Sequence, residues 1–154
     1  MGSETWARSK KRKGERTSKN GLQVIINTNI LFSYFNKKSA TRKILTNPYL
    51  ELTAPFFALE ELDKYAVRIC EKNNLLKEQY DEEVEQLKQI IHFKSLNYYK
   101  EHTDLPCPDE NDVDFLALAK RLGQPLWTQD KKLKEQTEVN ILTTKEIIQL
   151  LKFP

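Results

Sequence analysis

The sequence predicts an α/β fold, a parallel sheet flanked by helices, and three observations carry that reading. Short apolar runs with β-branched residues, such as Val24-Ile25-Ile26, alternate with segments whose apolar residues recur at helical spacing. Two of these runs stop on small polar or acidic residues, at Asn27-Thr28-Asn29 and at Gln129-Asp130. The alternation persists from the first strand to the last helix. Such a pattern favours parallel strands covered by helices, because a crossover helix is what returns the chain to the same end of the sheet. Functional groups then gather outside the carboxyl ends of the strands.

Taken in order, the first strand is expected at residues 23–26 and feeds a helical segment through Ile30-Leu31-Phe32 and Tyr34-Phe35. Ser39 reads as the N-cap of a short helix ending near Leu45, with Asn47-Pro48 as its stop. A second strand is expected at residues 51–54, closed by Pro55. From Phe57 to about Asn73 the residues Leu59, Leu62, Tyr65, Ala66 and Ile69 keep a helical period. A second set, Leu76, Tyr80, Val84, Leu87 and Ile91, continues it to about Phe93, so two helices separated near Asn73-Asn74 are expected. A strand or loop around residues 95–99 leads into Leu105-Pro106-Cys107-Pro108. The next helix starts near Asn111 or Asp112, runs through Phe115-Leu116-Ala117-Leu118-Ala119, and ends before Gly123 as its C-cap. Strands follow at residues 125–128 and 139–142, and a last helix covers 144–151, where Thr143-x-x-Glu146 has the spacing of a capping box.

A length of 154 residues suits one domain at 21–154 behind a polar arm at 1–20. The net charge of +3 divides unevenly, +5 on residues 1–20 and −2 on the remaining 134. Lys10, Lys11, Arg12 and Lys13 head the basic arm, which is either a polyanion-binding element for RNA or a solvated leader, natural or added for expression. No run of about 18 apolar residues exists, so no membrane span is expected, and the N-terminus lacks the apolar core of a secretory signal. Cys70 and Cys107 stand far apart without metal-ligand spacing, which fits reduced thiols in a cytoplasmic protein. His92 and His102 lack a partnering Ser or Cys motif, and four glycines provide no phosphate-cradling loop.

The chemistry-bearing residues are oxygen donors. Asn27 ends one strand, Asp130 follows another, Asp112 or Asp114 opens a helix, and Glu61 lies in the first turns of the helix after the second strand. In a parallel sheet these positions share one edge, where converging hard oxygens suit Mg²⁺ or Mn²⁺. Such an ion would activate water and stabilise the charge of an attacked phosphodiester. Taken singly each acid has an ordinary role: Asp112 and Asp114 at a helix N-terminus, Glu60 or Glu61 on a surface, Asp130 in a turn. Their placement in consecutive strand–helix units favours the shared site.

The motifs resemble those of the PIN-domain family. Val24-Ile25-Ile26-Asn27-Thr28-Asn29-Ile30-Leu31 is similar to its opening strand with the usual Asp-Thr-Asn replaced by Asn-Thr-Asn. Ala58-Leu59-Glu60-Glu61-Leu62, Asp109-x-x-Asp112-x-Asp114-Phe115-Leu116-Ala117-Leu118-Ala119 and Leu126-Trp127-Thr128-Gln129-Asp130 resemble the later acidic motifs in order, over roughly residues 22–152. The resemblance implies a PIN-like (Rossmann-like) fold and Mg²⁺- or Mn²⁺-dependent RNA cleavage, often by a VapC-type toxin that is a homodimer and is held by an antitoxin protein. It implies position 27 as the central metal ligand and catalytic residue, with Glu61, Asp112 or Asp114, and Asp130 completing the set. Thr28 and Thr128 would support the site by hydrogen bonding, and Asn29 would brace the loop. Asparagine at 27 keeps the shape and one carbonyl oxygen but loses the charge, so the expected enzyme is inactive or weakened. Either the chain is an engineered inactive variant, which the intact remaining acids favour, or it is a natural pseudoenzyme. The alternative function is a catalytically inert module that binds RNA or an antitoxin.

Overall fold

Val24, Ile25 and Ile26 are completely buried. A strand apolar at consecutive residues must be covered on both faces, which is the environment of a central parallel strand. This strand, β1 (Leu22–Ile26), lies between β2 (Leu50–Pro55) and β4 (Leu126–Trp127), and β3 (Ile91–Lys94) and β5 (Ile141–Leu142) flank them. The order is β3-β2-β1-β4-β5 and every pairing is parallel. The fold is therefore an α/β sheet flanked by helices, as the sequence predicts. The computed structural model describes residues 21–152 apart from 108 and 137, so the basic arm, with Lys10, Lys11, Arg12 and Lys13, lies outside the described residues.

The helices are α1 (Thr28–Tyr34), α2 (Ala40–Leu45), α3 (Phe57–Lys64), α4 (Ala66–Asn73), α5 (Lys77–Ile90), α6 (Leu96–Tyr99), α7 (Val113–Leu122) and α8 (Thr144–Leu151). Ser39 caps α2, its hydroxyl accepting from the Arg42 N–H at 3.1 Å. Gly123 closes α7 at φ +66°, a left-handed conformation that glycine adopts without steric cost. Phe115 to Ala119 are all buried, because α7 packs on β1 and β2 with sheet on one side and α6 on another.

Three expectations need correction. The helical period does not run on to Phe93: α5 stops at Ile90, and residues 91–94 form β3, paired with Leu52–Pro55 of β2. Ile91 is fully buried and suits either periodicity, so its burial alone could not separate them. Pairing with a strand distant in sequence decided it. Residues 95–99, expected as strand or loop, instead contain α6. The segment from Phe57 to Asn73 is also divided at Tyr65, whose backbone (φ −105°, ψ 15°) ends α3 and begins α4. Its ring stands edge-on to Phe32 of α1 at 5.8 Å, so a tertiary contact accompanies the break.

Candidate active site

The sheet order creates the site. From β1 the chain steps outward through β2 and β3, then returns to the other side of β1 with β4, so a crevice opens above the β1–β4 pair. Ile26 is in register with Trp127, and the next residue on each strand is therefore Asn27 beside Thr128. Both are buried.

Asn27 is the N-cap of α1, and its Oδ1 accepts the Thr28 N–H at 2.6 Å. That assignment turns the amide nitrogen the other way. Nδ2 donates to Thr128 Oγ1 at 3.1 Å and to Asp112 Oδ1 at 3.3 Å. Thr128 Oγ1 also accepts from Asn29 Nδ2 at 3.2 Å and from the Asp130 N–H at 3.1 Å. Across the cleft, the Thr28 hydroxyl donates to Glu61 Oε1 on α3. One hydroxyl thus ties the first strand–helix turn to the second.

The acids divide by their partners. Asp112 meets the Asn27 amide, whereas Asp114 accepts a hydrogen bond from the Tyr99 hydroxyl on α6. Asp130 uses Oδ1 to cap the turn of residues 131–135 through the Lys132 N–H at 3.0 Å. Burial pushes the Asp112 carboxyl up from the ordinary carboxylate range. The Asn27 hydrogen bond opposes that shift, and the negative charges of Asp109, Asp130 and Glu61 add to it. Burial and the bond to Asp114 likewise raise the Tyr99 hydroxyl, keeping it a neutral donor.

A cleft of about 1010 Å³ opens over these groups, and Asn27, Thr28, Asn29, Glu61, Asp112 and Gln129 are among the residues that line it. Asp114 and Asp130 are not among its lining residues. Among the described residues no group of three or more His, Cys, Asp or Glu side chains is placed to hold a metal ion. Position 27 adds no anionic oxygen to these acids, because the group facing Asp112 is an N–H donor and the amide oxygen is already engaged by Thr28. As the chain stands, the Asn27 amide does not fit a divalent cation.

The sequence profile of the PIN domain matches residues 25–152. The chain belongs to the PIN-domain family. Its fold is similar to that of VapBC2 from Rickettsia felis, solved bound to a DNA fragment from their promoter, with a TM-score of 0.58 over 79% of this chain and 98% of that one. Identity is 19%, so this likeness speaks for the fold. A search of curated proteins returned no match.

Within this PIN domain, sequence reasoning missed the wall of the cleft that α4 supplies. Tyr65, Arg68 and Lys72 line it. Arg68 and Lys72 stand four residues apart on one helix face, a spacing legible in the sequence but not singled out there. Tyr99, which holds Asp114, carried no signal beyond its apolar ring.

Proposed function

We propose that this PIN domain is a metal-dependent endoribonuclease framework, the toxin of a toxin–antitoxin pair, whose Mg²⁺- or Mn²⁺-dependent cleavage is suppressed by Asn27. The observation that carries the proposal is the hydrogen bonding at Thr128. Its Oγ1 collects three N–H donors, more than its two lone pairs accommodate well, and its own hydroxyl proton meets no acceptor among the described residues. A carboxylate at position 27 would supply that acceptor and remove one donor. Asp112 would then face a second anion, a pairing that calls for a cation between them. The surroundings of position 27 thus suit aspartate with a metal better than asparagine without one.

Glu61, Asp112 and Asp130 are the carboxylates assigned to the restored site, with Thr28, Asn29 and Thr128 positioning them. Asp112 is preferred to Asp114 as the third acid because Asp114 is committed to Tyr99. The toxin reading is supported by the fold likeness to a VapBC complex, and an antitoxin partner and a homodimer go with it. A second reading, an inert module that binds RNA or antitoxin, is favoured by the Asn27 amide, which satisfies Asp112 without any metal.

Cleavage of labelled RNA with Mn²⁺ separates the two. Asn27→Asp should cut where the parent chain does not, and Asn27→Asp combined with Asp130→Asn should lose the gain. An Asn27→Asp protein that neither binds Mn²⁺ nor cuts RNA would leave the inert module as the function.

A further inference from the structure

The cleft over Asn27 does not end at α4. A second hollow of about 390 Å³ adjoins it, lined by Lys37, Lys38, Asn74 and Gln79 among others, and the two share Asn36, Lys72 and Asn73 in their walls. Shared walls make them one groove. It starts at Glu61 and Asp112, passes Tyr65 and Arg68, and ends at Lys72, Lys37 and Lys38.

Charge changes sign along this groove. Glu61 and Asp112 make the first end acidic, and four cations dominate the other, with Glu71 the carboxylate among them. Arg68, Lys72, Lys37 and Lys38 are exposed, and none forms an ion pair among the described residues. Lys37 and Lys38 sit on the turn between α1 and α2, which Asn36 Oδ1 fixes by accepting the Lys38 N–H at 3.0 Å. A polyanion is repelled at the acidic end and needs anchoring at a distance from it. The basic end provides that anchor on the same path.

Between the ends the wall is suited to unpaired bases. Tyr65 is half-buried and braced edge-on by Phe32, so its ring is held in place as a stacking surface. Asn36 Nδ2, Asn73 Oδ1 and the side-chain amides of Asn111 and Gln129 make no hydrogen bond among the described residues. Such groups match the exposed edges of single-stranded RNA, which a duplex keeps paired.

We propose that Lys37, Lys38, Lys72 and Arg68 form a backbone-phosphate subsite that holds single-stranded RNA flanking the segment over Asn27, with Tyr65 stacking on a base between. This rests on the ribonuclease reading, but it concerns binding and is tested without cleavage. The full chain is titrated against a short labelled single-stranded RNA of mixed sequence, in EDTA, across a range of salt. Lys37→Ala/Lys38→Ala/Lys72→Ala is compared with Lys43→Ala/Lys145→Ala/Lys152→Ala, which removes equal charge from exposed positions lining neither hollow. The groove variant should bind roughly tenfold more weakly and lower the salt slope by about 2, near 0.7 for each lost single-strand phosphate contact. The control variant should lose less than half of that, and Tyr65→Ala should weaken binding with the slope unchanged.

Equal losses in the two triple variants would reduce the effect to overall charge and overturn the subsite. An unchanged RNA slope in the groove variant, with lost capture of a co-expressed acidic protein, would assign the cations to a protein partner and overturn it too. Circular dichroism of each variant guards against unfolding. Cleavage by Asn27→Asp is scored separately: groove-dependent binding without cleavage sinks the nuclease reading alone, and cleavage with groove-independent binding sinks the subsite alone.

Discussion

At position 27 a neutral amide does locally what a cation would do between two carboxylates. Asn27 gives Asp112 a donor at 3.3 Å and so satisfies that carboxylate without an ion, although Thr128 stays overloaded with donors. Asn27→Asp would put a second carboxylate in that place, buried and facing an acid whose ionisation is already resisted by burial. The variant should therefore lose stability in EDTA by about 1–3 kcal/mol, the usual cost of unmaking a buried polar contact. At about 2–4 °C per kcal/mol for a domain of this size, its Tm should fall by several degrees and recover with Mn²⁺. The parent chain should show no such metal response. Differential scanning calorimetry with and without Mn²⁺ measures both, and a parent Tm that rises with Mn²⁺ as much as the variant's would refute the amide's role.

Among the elements, α8 shows how a local sequence signal becomes a pH-dependent tie. Thr143 Oγ1 accepts the Glu146 N–H at 3.3 Å, and Glu146 Oε1 accepts the Thr143 N–H at 2.9 Å, closing the box anticipated from Thr143-x-x-Glu146. Lys134, from the turn after β4, adds a contact at 2.8 Å to the same oxygen. The Lys134 bond, followed by the Thr143 bonds, lowers the Glu146 carboxyl from 4.5 to about 2. A folded pKa below the unfolded one means that this stabilisation is full above about pH 4.5 and is lost as pH falls toward 2. Glu146→Gln should lower Tm near neutrality, where the carboxylate's contribution is fully present, and so flatten the acid limb of Tm against pH in that window. Because the group is largely solvent-facing, screening by salt should shrink the effect. Acid limbs that superimpose would show that the carboxylate contributes nothing to the cap.

For the whole molecule, the division of charge is the feature with consequences. The first 20 residues carry +5 and the rest −2, so an arm that binds RNA adds a salt-sensitive term of its own to whatever the body contributes. Removing residues 1–20 should weaken RNA binding and lower the salt slope by up to about 5, for seven cations at near 0.7 each. Anisotropy titrations at several salt concentrations read this directly. An unchanged slope would make the arm a leader or a protein-binding segment. Since groove and arm are altered independently, additive changes in slope are expected if both hold the same strand.

The sequence by itself determined the alternation of strands and helices, the caps at Ser39, Thr143 and Gly123, and the positions at which side-chain oxygens leave the strand ends. These are local properties, fixed by periodicity and by backbone conformation within a few residues. Tertiary structure decided what depends on distant partners. Ile91 became strand because Leu52 was there to pair with it, and Tyr65 broke a helix that its own neighbours would have continued. The choice between Asp112 and Asp114 as neighbour of Asn27 belongs to the same class. Both stand in one motif two residues apart, and only the packing of Tyr99 against α7 drew Asp114 away, leaving Asp112 to face Asn27. Sequence spacing sets which residues leave the chain at a given turn, whereas the direction they take is set by what the rest of the fold places opposite them.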